Sequence, residues 1–276
     1  ATLGRTSASL GTYCNAITVD GVLETSAPVI SANTIAINGT FRVKTTSAIV
    51  SDPNTSEWTY GGGAVLEYNA AGECLMGAEI DRYVFSSADN PVINTLRVNR
   101  SGGGNAVQTN FKTPRMQNLD FVSGKVRCNG TPVVIVAGGS ISGAGNGNYV
   151  ITASTFAGLR REGMGSGDFH IGTAAAYLPV TAFNNTGATD VFTAHVTTTT
   201  PSCVAANHSV TATWDIAEAV AGGSNVTLSL DYANAATGID FSAATAKVIH
   251  CTGSVVDYAN GSVSGTVASG GGFTVF

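Results

Sequence analysis

Polar and apolar residues alternate along most of the chain, and their period of two is typical of half-buried β-strands. The clearest case is segment 225–232, Asn-Val-Thr-Leu-Ser-Leu-Asp-Tyr, in which every second residue is apolar. Turn-forming Asn-Gly pairs, for example at 38–39 and 129–130, separate such segments. The pattern predicts an all-β protein in which helix is confined to single turns such as 215–220.

The alternating segments fall into two groups. Between residues 15 and 150 the strands are short and closely spaced, and their apolar positions would stack on one another in a parallel β-solenoid. From about residue 175 the strands are longer and are separated by acidic turns, the pattern of an antiparallel β-sandwich. We therefore expect an N-terminal arm over 1–14, a β-solenoid-like region over 15–161 and a β-sandwich domain over 162–276.

The composition excludes several classes of protein. Charged residues make up 11% of the chain, hydrophobic residues 43%, and the net charge is -5. Intrinsic disorder is excluded, because it combines low hydrophobicity with high net charge. Nucleic-acid binding depends on dense Lys and Arg, and this chain has 13 such residues in all. No apolar run approaches the roughly 18 residues that a membrane span requires.

The first residues indicate export. The chain begins Ala-Thr-Leu-Gly, without Met, as expected after cleavage at a small-residue site. Trimming of the chain by another route is the alternative interpretation. A surface of short Ser, Thr and Asn side chains also suits a secreted protein, because these side chains lose little rotamer entropy. We therefore expect an extracellular or cell-surface location.

Charge is distributed unevenly between the two parts of the chain. Residues 1–161 contain 12 basic and 10 acidic residues, whereas residues 162–276 contain one basic and eight acidic residues. Complementary ends would favour head-to-tail contact between copies of the chain. The alternative is two modules with different histories and no electrostatic role.

The five cysteines are widely spaced and show neither a CxxC motif nor a Cys/His cluster, so we predict no metal site. In an exported chain their expected use is in disulfides. We predict that Cys203 pairs with Cys251 and that Cys74 pairs with Cys128. Cys14 is then left over, either for an intermolecular bond or as a buried thiol.

The N-terminal segment is a candidate assembly element. Residues 1–13 are polar, small and interrupted by Gly, and such a segment frays unless something holds it. We hypothesise that it lies against a neighbouring subunit as an added strand or a wrapping arm. The candidate assembly residues are Ala1, Thr2, Leu3 and Cys14.

Motifs that would indicate an enzyme are missing from the sequence. The four histidines form no H-E-x-x-H arrangement, and neither a G-x-S-x-G elbow nor a calcium-loop spacing occurs. The carboxylate pairs Glu79/Asp81 and Asp215/Glu218 resemble the acid–base pairs of glycan-cleaving enzymes, but solvated carboxylates are the ordinary case. We predict a non-catalytic protein without a cofactor.

One group of aromatic residues is a candidate ligand surface. Trp58, Tyr60 and Tyr68 flank three consecutive glycines at 61–63 and would offer a face for sugar stacking. Cross-strand aromatic packing beside a loop is the alternative.

Part of the chain resembles a segment found in large surface and secreted proteins of Bacteroidota. The resemblance lies in the order of segments 122–126, 133–141, 149–150, 169–172 and 177–181. In that family a β-helical stretch precedes a sandwich that contains a Trp strand and ends in an aromatic segment. Trp214 and the closing residues 272–276 stand where that pattern expects them. The resemblance covers residues 90–276 and implies a surface or extracellular location and an adhesive or filament-forming role.

Two positions depart from that family. Segment 169–172 is Phe-His-Ile-Gly where the family has Phe-Pro-Val-Gly, and Leu178 replaces an expected Arg. The leading interpretation is a non-catalytic subunit of an extracellular filament or cell-surface adhesin that assembles head-to-tail with copies of itself. The alternatives are a secreted carbohydrate-binding or polysaccharide-cleaving β-helix protein, with surface glycans as partners, and a stalk fragment of a longer adhesin.

Overall fold

The secondary structure is almost entirely β, as the alternation predicts. The computed structural model describes residues 14–26, 29–30, 32–51, 57–80, 91–100, 106–152, 157–200, 203–252, 255–258, 262–264 and 267–273. Across these residues the helical segments are short 3₁₀ turns at Ala78–Ile80, Ala206–His208 and Ala243–Thr245. None of the described helical segments is long and apolar enough to cross a membrane.

The chain divides into two compact units, Ala1–Tyr149 and Val150–Phe276. The division falls ahead of residue 161, where the charge composition changes. The strands of the first unit are β1 (Cys14–Val19), β2 (Val22–Thr25), β3 (Val29–Ile30), β4 (Ala32–Ile37), β5 (Thr40–Val43), β6 (Val50–Ser51), β7 (Glu57–Tyr60), β8 (Val65–Tyr68), β9 (Cys74–Leu75), β10 (Val92–Asn99), β11 (Ala106–Gln108), β12 (Arg115–Ser123), β13 (Lys125–Arg127) and β14 (Val133–Ser142).

The strands of the second unit vary in length from two to eight residues. They are β15 (Val150–Ile151), β16 (Leu159–Met164), β17 (Ser166–Phe169), β18 (Ile171–Gly172), β19 (Val180–Asn185), β20 (Asp190–Thr197), β21 (Thr213–Glu218), β22 (Val226–Asp231), β23 (Ile249–Thr252), β24 (Val255–Tyr258), β25 (Ser262–Ser264) and β26 (Val267–Phe273).

In the first unit the chain visits several parallel sheets in turn. One sheet has the order β1-β4-β7, a second runs β2-β5-β8-β10-β12-β14, and shorter ladders join β3 to β6 and β9 to β11 and β13. The pairings are parallel. Two parallel strands must be joined by a long crossover connection. Here that connection contains a strand of another sheet, after which the chain returns to the first sheet.

Equivalent positions of successive strands stack in register and form the core. One apolar row contains Leu23, Phe41, Leu66, Leu96, Leu119 and Ile141. Its central members Phe41, Leu66 and Leu96 are fully buried. Leu23 is only half-buried, because β2 is the outermost strand of its sheet and, within the described parts of the chain, has a neighbour on one side only.

The Asn-Gly turn at 38–39 is a corner between two sheets rather than a hairpin. It connects β4 to β5, which belong to different sheets. A Cβ on Gly39 would lie 2.1 Å from the backbone oxygen of Gly21 in the preceding corner. Stacked corners therefore require glycine at this position.

Antiparallel sheets dominate the second unit. One antiparallel set has the order β16-β20-β21, another has the order β17-β19-β22-β26-β25, and β23 pairs with β24. Phe183 contacts both Phe169 and Phe192, with ring centroids 5.4 Å and 4.9 Å apart, and all three are buried. Because Phe192 belongs to β20 and the other two to β17 and β19, this cluster joins the faces of the two larger sheets.

The predicted helical turn at 215–220 is wrong, because residues 213–218 form β21. Trp214 and Ile216 pair in register with Val196 and Ala194 of β20. The alternation of these apolar residues therefore has the strand period, and packing against β20 decides the local structure.

Candidate functional site

The first turn of the chain leaves three adjacent strand edges open. Strands β1, β2 and β3 are each outermost in their sheet, and among the described residues each has a strand on one side only. Val22 of β2 is 45% exposed although it is a large apolar residue. Unpaired strand edges are templates for pairing with another chain. We call these three strands the first-turn edge.

A row of alternating charges runs from this edge across the large parallel sheet. Its members are Glu24, Arg42, Glu67, Arg97 and Asp120. Arg42 bonds to Glu24 and, at 3.0 Å, to Glu67, while the Nε of Arg97 lies 2.8 Å from Asp120. Opposite charges on directly paired strands attract, so the row stabilises this register.

The acidic members of this row next to Arg42 have lowered pKa values. Hydrogen bonds from Lys44 and Arg42 lower the pKa of Glu24. Burial disfavours the charged form of Glu67, but hydrogen bonds from Arg42 and two asparagine side chains outweigh it, and its pKa is also lowered. Both carboxylates are therefore charged at neutral pH, and the row begins on the first-turn edge with a carboxylate, Glu24.

Glu79 is a buried carboxyl group inside the first unit. Its Oε1 accepts hydrogen bonds from the Tyr68 hydroxyl and, at 2.8 Å, from the Gly77 backbone N–H. Its Oε2 is buried and has no hydrogen-bond partner among the described residues. Burial raises the pKa of Glu79 to about 7. The expectation of a solvated carboxylate is therefore wrong for Glu79, and Asp81, its sequence-predicted companion, lies outside the described residues.

Of the two interpretations of Trp58, Tyr60 and Tyr68, the structure supports aromatic packing and not the sugar-stacking face, because these side chains point inward. Trp58 is 1% exposed and packs on Phe41, with ring centroids 5.4 Å apart. Tyr68 is fully buried, and the hydroxyl of Tyr60 donates to the backbone carbonyl of Glu79. These rings fill the interior of the parallel stack, and solvent does not reach the faces of Trp58 and Tyr68.

The predicted Cys74–Cys128 disulfide is wrong, because both cysteines are buried as thiols and neither forms a disulfide. Cys74 belongs to β9 and Cys128 follows β13, and β11 lies between these strands. Two strand spacings amount to about 10 Å, beyond the roughly 7 Å that a disulfide allows between Cα atoms. Burial raises the pKa of Cys74 to about 11 and that of Cys128 to about 12. Both therefore remain neutral thiols, and the Sγ of Cys74 accepts a hydrogen bond from buried Arg100.

The predicted Cys203–Cys251 pair is confirmed as a disulfide, with Cα atoms 6.3 Å apart and a sequence separation of 48. The loop it closes contains β21 and β22. Cys14 begins β1, but its side chain lies outside the described residues, as do Ala1, Thr2 and Leu3.

Beside the disulfide lies a cleft of about 1000 Å³, which we call the β21 cleft. It is bounded by β21, β22 and two segments, 203–210 and 240–251, that the disulfide connects. Leu228 and Leu230 of β22 are among its lining residues. Trp214, Ile216 and Phe241 also line it and remain half-exposed.

The β21 cleft has a free strand edge along one wall. β21 pairs with β20 on one side and, among the described residues, has no strand on its other side. The indole Nε1 of Trp214 donates to the backbone oxygen of Leu178 at 2.9 Å, which fixes the ring at this wall. The residues that line the cleft also include Asp215, Asp240 and Lys247.

The acid–base pair predicted at Asp215 and Glu218 does not converge on one site. Residues three apart in a strand point to opposite faces, so the two carboxylates of β21 diverge. Asp215 lies 3.6 Å from the Nε2 of His195, whereas Glu218 accepts a hydrogen bond from Ser224. Within the described parts of the chain, no group of three or more His, Cys, Asp or Glu side chains is arranged to hold a metal ion.

Sequence reasoning missed both the charge row and the β21 cleft. The charge row left a signal, since an apolar residue followed by a charged one recurs at 23–24, 41–42, 66–67, 96–97 and 119–120. The variable spacing of these pairs hides the repeat. The cleft left no such signal, because it depends on which sheet edges meet.

Comparison with known proteins gives no match: no family model, no curated protein and no solved structure matches the chain. The functional argument therefore rests on the residues described above.

Proposed function

We propose that the chain is a non-catalytic structural subunit of an extracellular filament or cell-surface adhesin, and that it assembles head-to-tail with copies of itself. The observation that supports this most directly is the first-turn edge, where β1, β2 and β3 are open together. In this proposal the parallel stack is a β-solenoid and the second unit a β-sandwich, and each copy closes the open edge of the next.

Head-to-tail contact follows from the asymmetry of the chain. Residues 1–149 contain ten basic and ten acidic residues, whereas residues 150–276 contain three basic and eight acidic residues. Two copies of the acidic part would repel each other, so contacts between unlike parts are favoured. A contact between unlike surfaces that does not close into a ring extends into a fibre.

The disulfide supports the extracellular part of the proposal. Disulfides persist in oxidising environments and are rare in the cytosol, and Cys203–Cys251 is formed here. The resemblance to surface proteins of Bacteroidota, the arm over 1–14 and the domain limits at 161 and 162 belong to the same proposal. The carbohydrate-binding alternative has less support, because Trp58 and Tyr68 are buried.

Electron microscopy and sedimentation velocity of the full chain test this function. We expect fibres whose axial repeat is close to one subunit. Lysine on an open edge opposes strand addition, so Val22→Lys should reduce the assembled fraction by about tenfold.

A matched control for this test is Val122→Lys. Val122 is 54% exposed, but it lies on β12, which has strands on both sides. This variant should assemble like the original chain. Dispersed single particles of the original chain at every concentration would rule out the proposed function, and equal effects of the two lysines would rule out the role of the first-turn edge.

A further inference from the structure

The interior of the second unit is unfilled along β21. In β20, Ala194 and Val196 are fully buried. Their register partners on β21 are Ile216 and Trp214. These two side chains are only half-buried, because they border the β21 cleft. On the opposite wall Leu228 is 5% exposed and lines the same space. An apolar face that ends in a cleft beside a free strand edge has the form of a sheet that lacks one strand.

The dimensions of the β21 cleft suit an added strand. β21 has six residues, and six extended residues span about 20 Å. An incoming strand would take its main-chain hydrogen bonds from the free edge of β21 and place alternate side chains against Trp214 and Ile216. Recognition of this kind requires an extended peptide with small or apolar residues.

We propose that the β21 cleft receives the N-terminal segment of a second copy, residues 1–13, as an added β-strand. The inference rests on the proposed function, for which it names the contact between copies. The segment is long enough to cover β21 and still leave residues to reach β1, since 13 extended residues span about 45 Å. Its side chains are mainly small, with Leu3 and Leu10 as apolar anchors.

Charge complementarity also favours this occupant. Arg5 is the only charged side chain in residues 1–13. The cleft carries Asp215 and Asp240 against Lys247, and the whole second unit has an excess of acidic residues. Asp215 lies on the face of β21 opposite to Trp214 and Ile216, and its side chain is 57% exposed, so an arginine on that face of the incoming strand can reach its carboxylate.

The topology of the first unit favours a second copy over the same copy. Residues 1–13 precede β1, in the first turn of the parallel stack, whereas the chain continues to Val150 from β14, the last strand of the unit's large sheet. Five strand spacings separate β2 from β14, which corresponds to about 24 Å. Residues 1–13 therefore join the stack at the end where β1 and β2 lie, opposite the end that β14 forms in the large sheet.

A peptide-binding experiment tests the site directly. A labelled synthetic peptide of residues 1–13 is titrated into the chain that lacks these residues, and its fluorescence anisotropy is measured. We expect saturable one-to-one binding that Asp215→Arg weakens by about tenfold or more. Ala217→Arg is the matched control: it adds the same side chain to an exposed position of β21 that does not line the cleft, and it should leave binding unchanged.

Exchanging the two charges tests whether the Asp215→Arg variant loses binding through the lost charge pair or through misfolding. A peptide with Arg5→Asp should bind the original cleft about tenfold more weakly and regain affinity for the Asp215→Arg chain. Lack of saturable binding, or equal weakening by Asp215→Arg and Ala217→Arg, would overturn the proposal. Binding that the charge exchange fails to restore would overturn the pairing of Arg5 with Asp215.

Mixing two variants separates contact between copies from contact within one copy. The chain without residues 1–13 retains the cleft, and the full chain with Asp215→Arg retains the segment. Neither should polymerise alone, and together they should form a one-to-one complex in sedimentation velocity. If the original chain forms fibres but the mixture does not associate, this inference fails while the proposed function stands. If the original chain stays monomeric and its own segment protects the cleft from the peptide, the second-copy assignment fails together with the proposed function.

Discussion

In the first unit each strand stacks on an equivalent strand of the preceding turn, whereas in the second unit antiparallel sheets border a cleft and a disulfide links the segments around it. The stacked unit buries Cys74 and Cys128 as thiols that form no disulfide. Its continuous rows of side chains define its interior without a cross-link. In the second unit the sheet that ends at β21 borders the cleft and has no such row on that side. There the Cys203–Cys251 disulfide stabilises the fold by restricting the unfolded chain.

The largest expected effect comes from removing the disulfide. The double variant Cys203→Ala/Cys251→Ala opens a loop of 48 residues in sequence, and the chain-entropy relation gives a loss of about 4 kcal/mol in the free energy of unfolding. We expect hydrogen exchange to accelerate in residues 203–251 and to stay unchanged in residues 32–43. Denaturant unfolding and exchange mass spectrometry measure these two quantities.

Reduction provides the control for this prediction. A reductant should destabilise the original chain by a similar amount and should not affect the double variant. Faster exchange throughout the first unit would contradict the separation of the two units in stability.

The second-largest expected effect is a pH dependence of stability, which we assign to Glu79, the buried carboxyl group of the first unit. The pKa of Glu79 is about 7 in the folded protein and 4.5 as its ordinary value, so folding favours the protonated form. This contribution is complete below pH 4.5 and is lost as the pH rises through 7, with a total on the order of 3 kcal/mol. We expect the stability of the original chain to fall over this range, and Glu79→Gln, which stays neutral, to remove most of the fall.

Denaturant midpoints at pH 5 and pH 8 measure the pH dependence. Glu73→Gln is the matched control, because the Glu73 side chain is 40% exposed and its removal should leave the dependence in place. A Glu79→Gln variant with an unchanged pH dependence would show that another group causes it.

The smallest effect compares two positions within the charge row of the first unit. Arg42 contacts Glu67, whose side chain is 2% exposed, so Arg42→Met leaves a buried carboxylate short of a partner and should cost about 2 kcal/mol. Arg97 contacts Asp120 at a more exposed place, and Arg97→Met should cost about 0.5 kcal/mol. Equal losses in the free energy of unfolding, measured with denaturant, would mean that the burial of Glu67 does not determine how much its ion pair contributes to stability.

The alternation of residues predicted the all-β class because strand period and burial are local properties of the chain. The same alternation did not show which face of the 57–60 and 65–68 strands points inward, so a sugar-stacking face and aromatic packing were both open for Trp58. Neighbouring turns of the stack decide that orientation, because Phe41 and Glu79 contact these aromatic residues from elsewhere in the sequence.

The two cysteine predictions had opposite outcomes for a geometric reason. Cys203 and Cys251 were paired because both fall in the C-terminal part, and the fold brings their Cα atoms within 6.3 Å. Cys74 and Cys128 were paired by the same reasoning, but the strand order inserts β11 between them. Sequence proximity within a domain does not specify strand order.

The sequence by itself determined the β-class of the chain and the division of its charge, because these depend on local period and composition. Only the tertiary structure decided the row from Glu24 to Asp120, the burial of Glu79 and the open edges of β2 and β21. These features depend on register and strand order, which are set by contacts between residues far apart in the chain.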